Sequence, residues 1–180
     1  MSKKIDIRDI VSGHFGTLTD NTTNKISYID LMIFFLLPVS LGAVSFLFSF
    51  NINKDLAGLL VNFGSILTAL LLSVLVLVYD QESKLKTEEP AYALKKRFLK
   101  ELYFNISFSV LGSISLVLFC FIHTAIPMDA HSLIAIGEHG FDLKYGTHIV
   151  TPIVIFLSLN LFLNIIMIVK RLHTLLITVS

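Results

Sequence analysis

The sequence predicts an all-α, polytopic membrane protein: four transmembrane helices, a short amino-terminal amphipathic helix before them, and a symmetric homo-oligomer as the assembled form. Three observations predict it. Hydrophobic residues make up 54% of the 180 positions against 15% charged, with a mean hydropathy of +0.80, a balance far from that of a soluble domain. Four apolar runs, at about 31–50, 56–79, 102–126 and 148–169, are long enough for helices that cross a bilayer. Twelve of the fourteen Lys and Arg residues fall in the amino-terminal segment, the connection after the second run and the carboxyl tail, leaving Lys54 and Lys144 for the other two connections. By the positive-inside bias, both termini lie in the cytoplasm with four spans between them.

Residues 1–30 form a polar cytoplasmic segment in which Ile7, Ile10, Val11, His14 and Phe15 line one side of a short helix ending near Gly16. Such a helix lies on the membrane surface or against the bundle. The following Thr, Asn and Asp residues suit a loop, and Ser27 or Asp30 is placed to cap the first span. No small-residue cleavage site follows the first apolar run, so that span is expected to stay in the mature protein.

Span one carries Pro38 and Gly42, which membrane helices tolerate as kinks. Only Asn51–Asp55 separates it from span two, predicting an antiparallel hairpin of the two. Span two, Leu56–Tyr79, has no charged side chain but a row of small or polar residues at helical spacing: Asn62, Ser65, Ala69 and Ser73. Residues 81–100 break the apolar pattern with six basic and three acidic side chains, and a helix starting at Pro90 runs on into span three. There Asn105, Ser109, Gly112 and Ser113 share a face, suited to close packing against span two. Residues 127–147 read as a second long loop. Span four carries Asn160 and Asn164, with Met167 and Arg171 continuing their face, and residues 173–180 form a short cytoplasmic tail after a transmembrane domain of 31–172.

The intramembrane amides are the sharpest feature. Asn62, Asn105, Asn160 and Asn164 each bring a polar group into hydrocarbon, where it must pair or meet water. Either they join helices within the bundle, or they line a wet pore. Four helices of one chain enclose little space, so a pore needs a ring of subunits with one helix of each on the axis. The pore-lining candidates are Asn160, Asn164, Asn62, Ser65 and Ser73, with span four expected to meet water and span two to supply close packing. Lys95, Lys96, Arg97 and Lys100, with Lys3, Lys4 and Arg8, form basic rims at the inner leaflet, for anionic lipid or for a cytosolic nucleotide, oligonucleotide or partner.

Other constellations do not reach a chemistry. Charges are absent from the middle of every span, which disfavours proton-coupled transport and voltage sensing. His131, His139 and His148 with Asp129, Glu138 and Asp142 match no compact metal motif, so no metal or cofactor is expected. Arg8 and His14 show an Arg-x5-His spacing found in some ribonuclease helices, without a soluble helical domain to hold it. Cys120, the single cysteine, sits inside an apolar run. No phosphate loop or hydrolase constellation is present, and no enzyme activity is expected.

Three segments, HFGTLTD at 14–20, IDLMIFFLLP at 29–38 and SILTALLLSVLVLVYD at 65–80, resemble small four-span bacterial membrane proteins of anti-phage operons. Two such systems fit. In Hailong the membrane effector is channel-like and held by an oligonucleotide from a partner nucleotidyltransferase; in Kiwa the four-span subunit pairs with a DNA-binding partner. The resemblance implies a bacterial inner-membrane protein, homo-oligomeric with a tetramer favoured. It acts either as an ion-conducting effector gated by a cytosolic signal or operon partner, or as a non-conducting anchor for a nucleic-acid-binding protein.

Overall fold

The computed structural model describes residues 6–18, 28–87, 92–127, 130–136 and 139–179. Four helices are long and apolar enough to cross a membrane: span one (Ile29–Leu47), span two (Lys54–Lys84), span three (Tyr92–Ala125) and span four (Tyr145–Thr174). The chain is an all-α polytopic membrane protein. A shorter amino-terminal helix, Arg8–Gly16, lies against span three with Gly13 facing the Phe104 ring. Ser27, the alternative cap for span one, and the Pro90 start of span three lie outside the described residues.

Spans two and three form the principal hairpin. On span two the buried residues Ala57, Gly64, Leu71 and Val78 recur every seven positions. On span three Leu99, Leu102, Ile106 and Val110 cluster with Leu71 and Val78, and Leu116 and Cys120 with Ala57; a buried stripe Leu99, Leu102, Ile106, Ser109, Ser113, Leu116 and Cys120 runs alternately three and four apart. This is the seam of a left-handed coiled coil, whose 3.5-residue period keeps one stripe of each helix facing the other. Gly64 sets the closest approach: a Cβ there would stand 2.8 Å from Val117 Cγ2 and 3.3 Å from the Ser113 carbonyl. One turn on, the Thr68 and Ser113 hydroxyls meet at 2.7 Å. Of the small-residue face of span three, Ser113 packs on span two, while Gly112 faces Leu161 of span four and Asn105 meets His14 of the amino-terminal helix. Span two does not pack through its small-residue row: its packing stripe is the heptad, and Asn62, Ser65, Ala69 and Ser73 face outward, exposed.

Span one packs on span four, not on span two as the short connection predicts. Its helix ends at Ser49, which takes a φ of 51°, a left-handed conformation normally left to glycine, while the Phe50 N–H closes back on the Ser45 carbonyl. The chain then runs extended to Asn53, whose side chain caps span two at the Leu56 N–H. Shape lets span one seat closely on span four: Gly42 admits the Pro152 carbonyl, which would stand 3.1 Å from a Cβ. Span four sits centrally, in contact with spans one and three and reaching span two through the stacked Phe63 and Phe162 rings, 5.0 Å apart.

The second long loop is structured. Strands β1 (His131–Ile136) and β2 (His139–Lys144) pair antiparallel, with His131 opposite Lys144 and Ile136 opposite His139. The helix of span four begins in a π-helical turn at Tyr145–Val150 and continues to Val179, so the carboxyl tail extends the span instead of leaving it.

Replacing Gly64 by Leu is expected to force spans two and three apart, costing about 1–3 kcal/mol. Thermal unfolding in detergent should show a fall of several degrees; an unchanged midpoint would refute the seam.

Candidate functional site

The amides of span four are inside the chain. Pro38 has no N–H, so the Phe34 carbonyl one turn earlier in span one loses its helical donor. Asn160 supplies it: Nδ2 donates to the Phe34 carbonyl at 2.9 Å. Asn164 Nδ2 in turn donates to Asn160 Oδ1 at 3.0 Å and to the Asn160 carbonyl at 2.8 Å. Both asparagines are buried. The backbone around Pro38 has adapted too, with a π-helical segment at Met32–Leu36 in which the Leu37 N–H reaches the Met32 carbonyl. Asn160 and Asn164 thus join two spans of one chain.

A second polar cluster lies where the termini meet the bundle. His14, fully buried, stacks face to face on Phe108 with centroids 3.9 Å apart. Its Nδ1 is 2.9 Å from Asn105 Oδ1, which the Thr17 hydroxyl approaches at 2.8 Å. With Oδ1 as acceptor, the ring proton is on Nδ1. Arg171 of span four closes the cluster: Nη1 donates to Glu101 Oε2 at 2.9 Å and Nη2 to the Thr17 carbonyl at 2.7 Å, at the open end of the amino-terminal helix. Arg97 Nε takes the other Glu101 oxygen at 3.0 Å. The cluster ties together the amino-terminal helix, span three and span four. It buries His14, whereas Arg8 is exposed beside Asp6.

Of the basic rim, Lys96 and Lys100 are exposed on the first turns of span three and Lys95 is half-buried. Arg97 is turned to Glu101. Lys3 and Lys4 lie outside the described residues. Beside the Arg171 cluster, a cavity of about 560 Å³ opens between spans one and four, lined by Leu18, Phe34, Leu163, Ile166, Lys170 and Arg171 among others.

At the opposite end, under the β-hairpin, a cavity of about 660 Å³ is lined by Asn51, Lys54, His123, Asp142, Lys144 and His148 among others. The Lys144 N–H donates to His148 Nδ1 at 3.0 Å, so the neutral ring carries its proton on Nε2 and donates to the Ser49 hydroxyl at 3.1 Å. That bond offsets the strained backbone of Ser49. His123 Nε2 is 3.2 Å from Asn51 Oδ1. His131 is exposed on β1, Asp129 and Glu138 lie outside the described residues, and among the described residues no three metal-binding side chains converge.

No family model, curated protein or solved structure matches the chain.

Of the pore-lining candidates, the row on span two is the exposed one. The Ser73 hydroxyl bonds back to the Ala69 carbonyl at 3.1 Å, whereas the Asn62 amide has no hydrogen-bond partner among the described residues. Sequence reasoning missed Glu101 and the Phe34 carbonyl. The first had a signal, an Arg97–Glu101 pair four residues apart; so did the second, since Pro38 frees the carbonyl four residues earlier.

Two outcomes follow. Asn160→Leu should cost about 1–3 kcal/mol by orphaning the Phe34 carbonyl, and the loss should shrink in a Pro38→Ala background that restores an N–H; a double-mutant cycle on unfolding midpoints in detergent measures the coupling, and additivity would refute the pairing. Burial, opposed by the Asn105 bond and reinforced by the Arg171 charge, pushes His14 down from 6.5 to about 4. Between those values the unfolded chain takes up a proton that the folded chain refuses. Stability present above pH 6.5 is therefore lost as pH falls toward 4, on the order of 3 kcal/mol from this residue. His14→Gln should flatten the pH dependence of the unfolding midpoint in that window, and an unchanged slope would refute it.

Proposed function

We propose that the chain is the membrane effector of a bacterial anti-phage defence system, a homo-oligomeric ion-conducting pore of the inner membrane gated from the cytosol. The observation that carries the reading is the outward row Asn62, Ser65, Ala69 and Ser73 on span two. It runs along roughly 16 Å of helix, within the part of the span that meets hydrocarbon. An amide held there against lipid is costly, and the Asn160, Asn164 and Asn105 amides are all buried inside the chain. Span two is also the least enclosed of the four: 17% of its most apolar window is buried, against 33% for span three. A ring of subunits, each turning this row to a common axis, puts the amide and hydroxyls on water.

The positive-inside bias supports a cytoplasmic position for the end that bears the termini, with Lys96, Lys100 and the Arg171 cluster available to a cytosolic ligand or partner. The defence setting rests on the resemblance of the three segments to Hailong and Kiwa membrane proteins. The anchor reading draws on the same exposed Lys96 and Lys100, which suit an anionic partner without requiring a pore.

Purified protein in planar bilayers should show unitary conductance steps, and Asn62→Leu or Ser65→Leu should reduce their amplitude. Ser65→Cys should cross-link between subunits in membranes. Absence of conductance under every cytosolic ligand tried would overturn the pore and favour the anchor; failure of Ser65→Cys to cross-link would remove span two from the axis.

A further inference from the structure

We propose that the cavity between spans one and four, at the end bearing the termini, is a binding site for one anionic phospholipid, with its phosphate at Lys170 and Arg171 and its acyl chains running down the two spans. The cavity is open sideways: Ile33 and Ile166, which line it, are 45% and 64% exposed on faces that meet lipid. Its inner wall is apolar, built from the buried Phe34 and Met167 with Leu163. Lys170 stands one helical turn beyond Ile166, so a phosphate at the lysine brings the first methylenes of its chains onto Ile166 and Leu163.

The charge at the mouth suits an anion. Glu101 is engaged by Arg171 on one oxygen and Arg97 on the other, and it forms no ion pair with Lys170. Lys170 is exposed and forms no ion pair among the described residues. Asp30 is the other acid on the lining, so Lys170 and Arg171 face two carboxylates there, and Arg97, bonded to Glu101 from outside the lining, adds a third cation. Arg171 spends two of its five N–H donors on Glu101 and Thr17, and the rest of its fork remains for a phosphate oxygen. A cationic rim over an apolar slot between spans is the pattern that recognises a phosphodiester carrying acyl chains, whereas a free phosphate satisfies only the rim. The Thr17 contact makes such a lipid the neighbour of the cluster that holds the amino-terminal helix.

Native mass spectrometry of the full chain, released from micelles doped equally with phosphatidylglycerol and phosphatidylcholine, tests this. Wild-type protein should retain phosphatidylglycerol in preference. Lys170→Gln should weaken that retention about fivefold, the equivalent of about 1 kcal/mol for one lysine, while Lys170→Arg preserves it and Lys96→Gln leaves it unchanged. Equal retention of both lipids, or indifference to Lys170→Gln, would overturn the site. So would a loss confined to Lys96→Gln, which would move the contact to the start of span three, and displacement of the lipid by millimolar inorganic phosphate, which would make the ligand a soluble anion. The unfolding midpoint of Lys170→Gln in lipid-free detergent should equal that of wild type, separating lost binding from lost fold.

Discussion

One unmet carbonyl organises half of the bundle. In hydrocarbon there is no water to accept or donate a hydrogen bond, so a backbone group freed by proline must find a partner within the protein. Pro38 frees the Phe34 carbonyl, and the Asn160 amide is where it goes. That bond fixes which face of span four meets span one, and Asn164 fixes the orientation of Asn160 from one turn away. The close seat of the Pro152 carbonyl at Gly42 and the π-helical turn before Pro38 are consistent with the same register. Neighbours in sequence, spans one and two, are separated by it.

The rest of the bundle obeys a different rule. Spans two and three meet along an apolar heptad seam closed by Gly64, where dispersion between close backbones takes the place of the hydrophobic effect. Polar bonds tie the helix ends, one between the halves and one within the first. Arg171 links span four to span three and to the amino-terminal helix, and His148 links the start of span four to the end of span one. Each link uses a side chain to satisfy a group left over by a helix terminus, a strained residue or a buried charge.

Polarity in this molecule is thus divided by direction. Although Asn105 Nδ2 and Asn164 Oδ1 are buried without a partner among the described residues, the amides and charges pointing inward each have at least one partner within the chain: Asn160 with Phe34, Asn164 with Asn160, Asn105 with His14, Arg171 with Glu101. The Asn62 amide, pointing outward from span two, has none among the described residues, and a side chain that is costly against lipid and unexplained inside the chain points to another subunit or to water. The same separation applies to the cations at the end bearing the termini, where Arg97 and Arg171 are paired with Glu101 while Lys170 and Lys96 are turned outward.

The number of spans, their approximate limits and the residues that break their apolar runs follow from composition alone, because crossing hydrocarbon imposes a length and an apolarity that any sequence must display. The row at Asn62, Ser65, Ala69 and Ser73, the pair Asn160 and Asn164 and the continuation to Arg171 were all legible as faces, since helical periodicity is local. Which way each face turns was not. A short connection suggested that spans one and two pack together, and small residues suggested that the row on span two was the packing face; both inferences weigh neighbours in sequence or size, while the outcome depends on complementarity between segments far apart in sequence. Phe34 and Asn160 are 126 positions apart, His14 and Asn105 are 91 apart. Only the tertiary structure decided that span four's amides are spent inside the chain and span two's are left outside, because a polar group in a membrane is defined by the partner it finds.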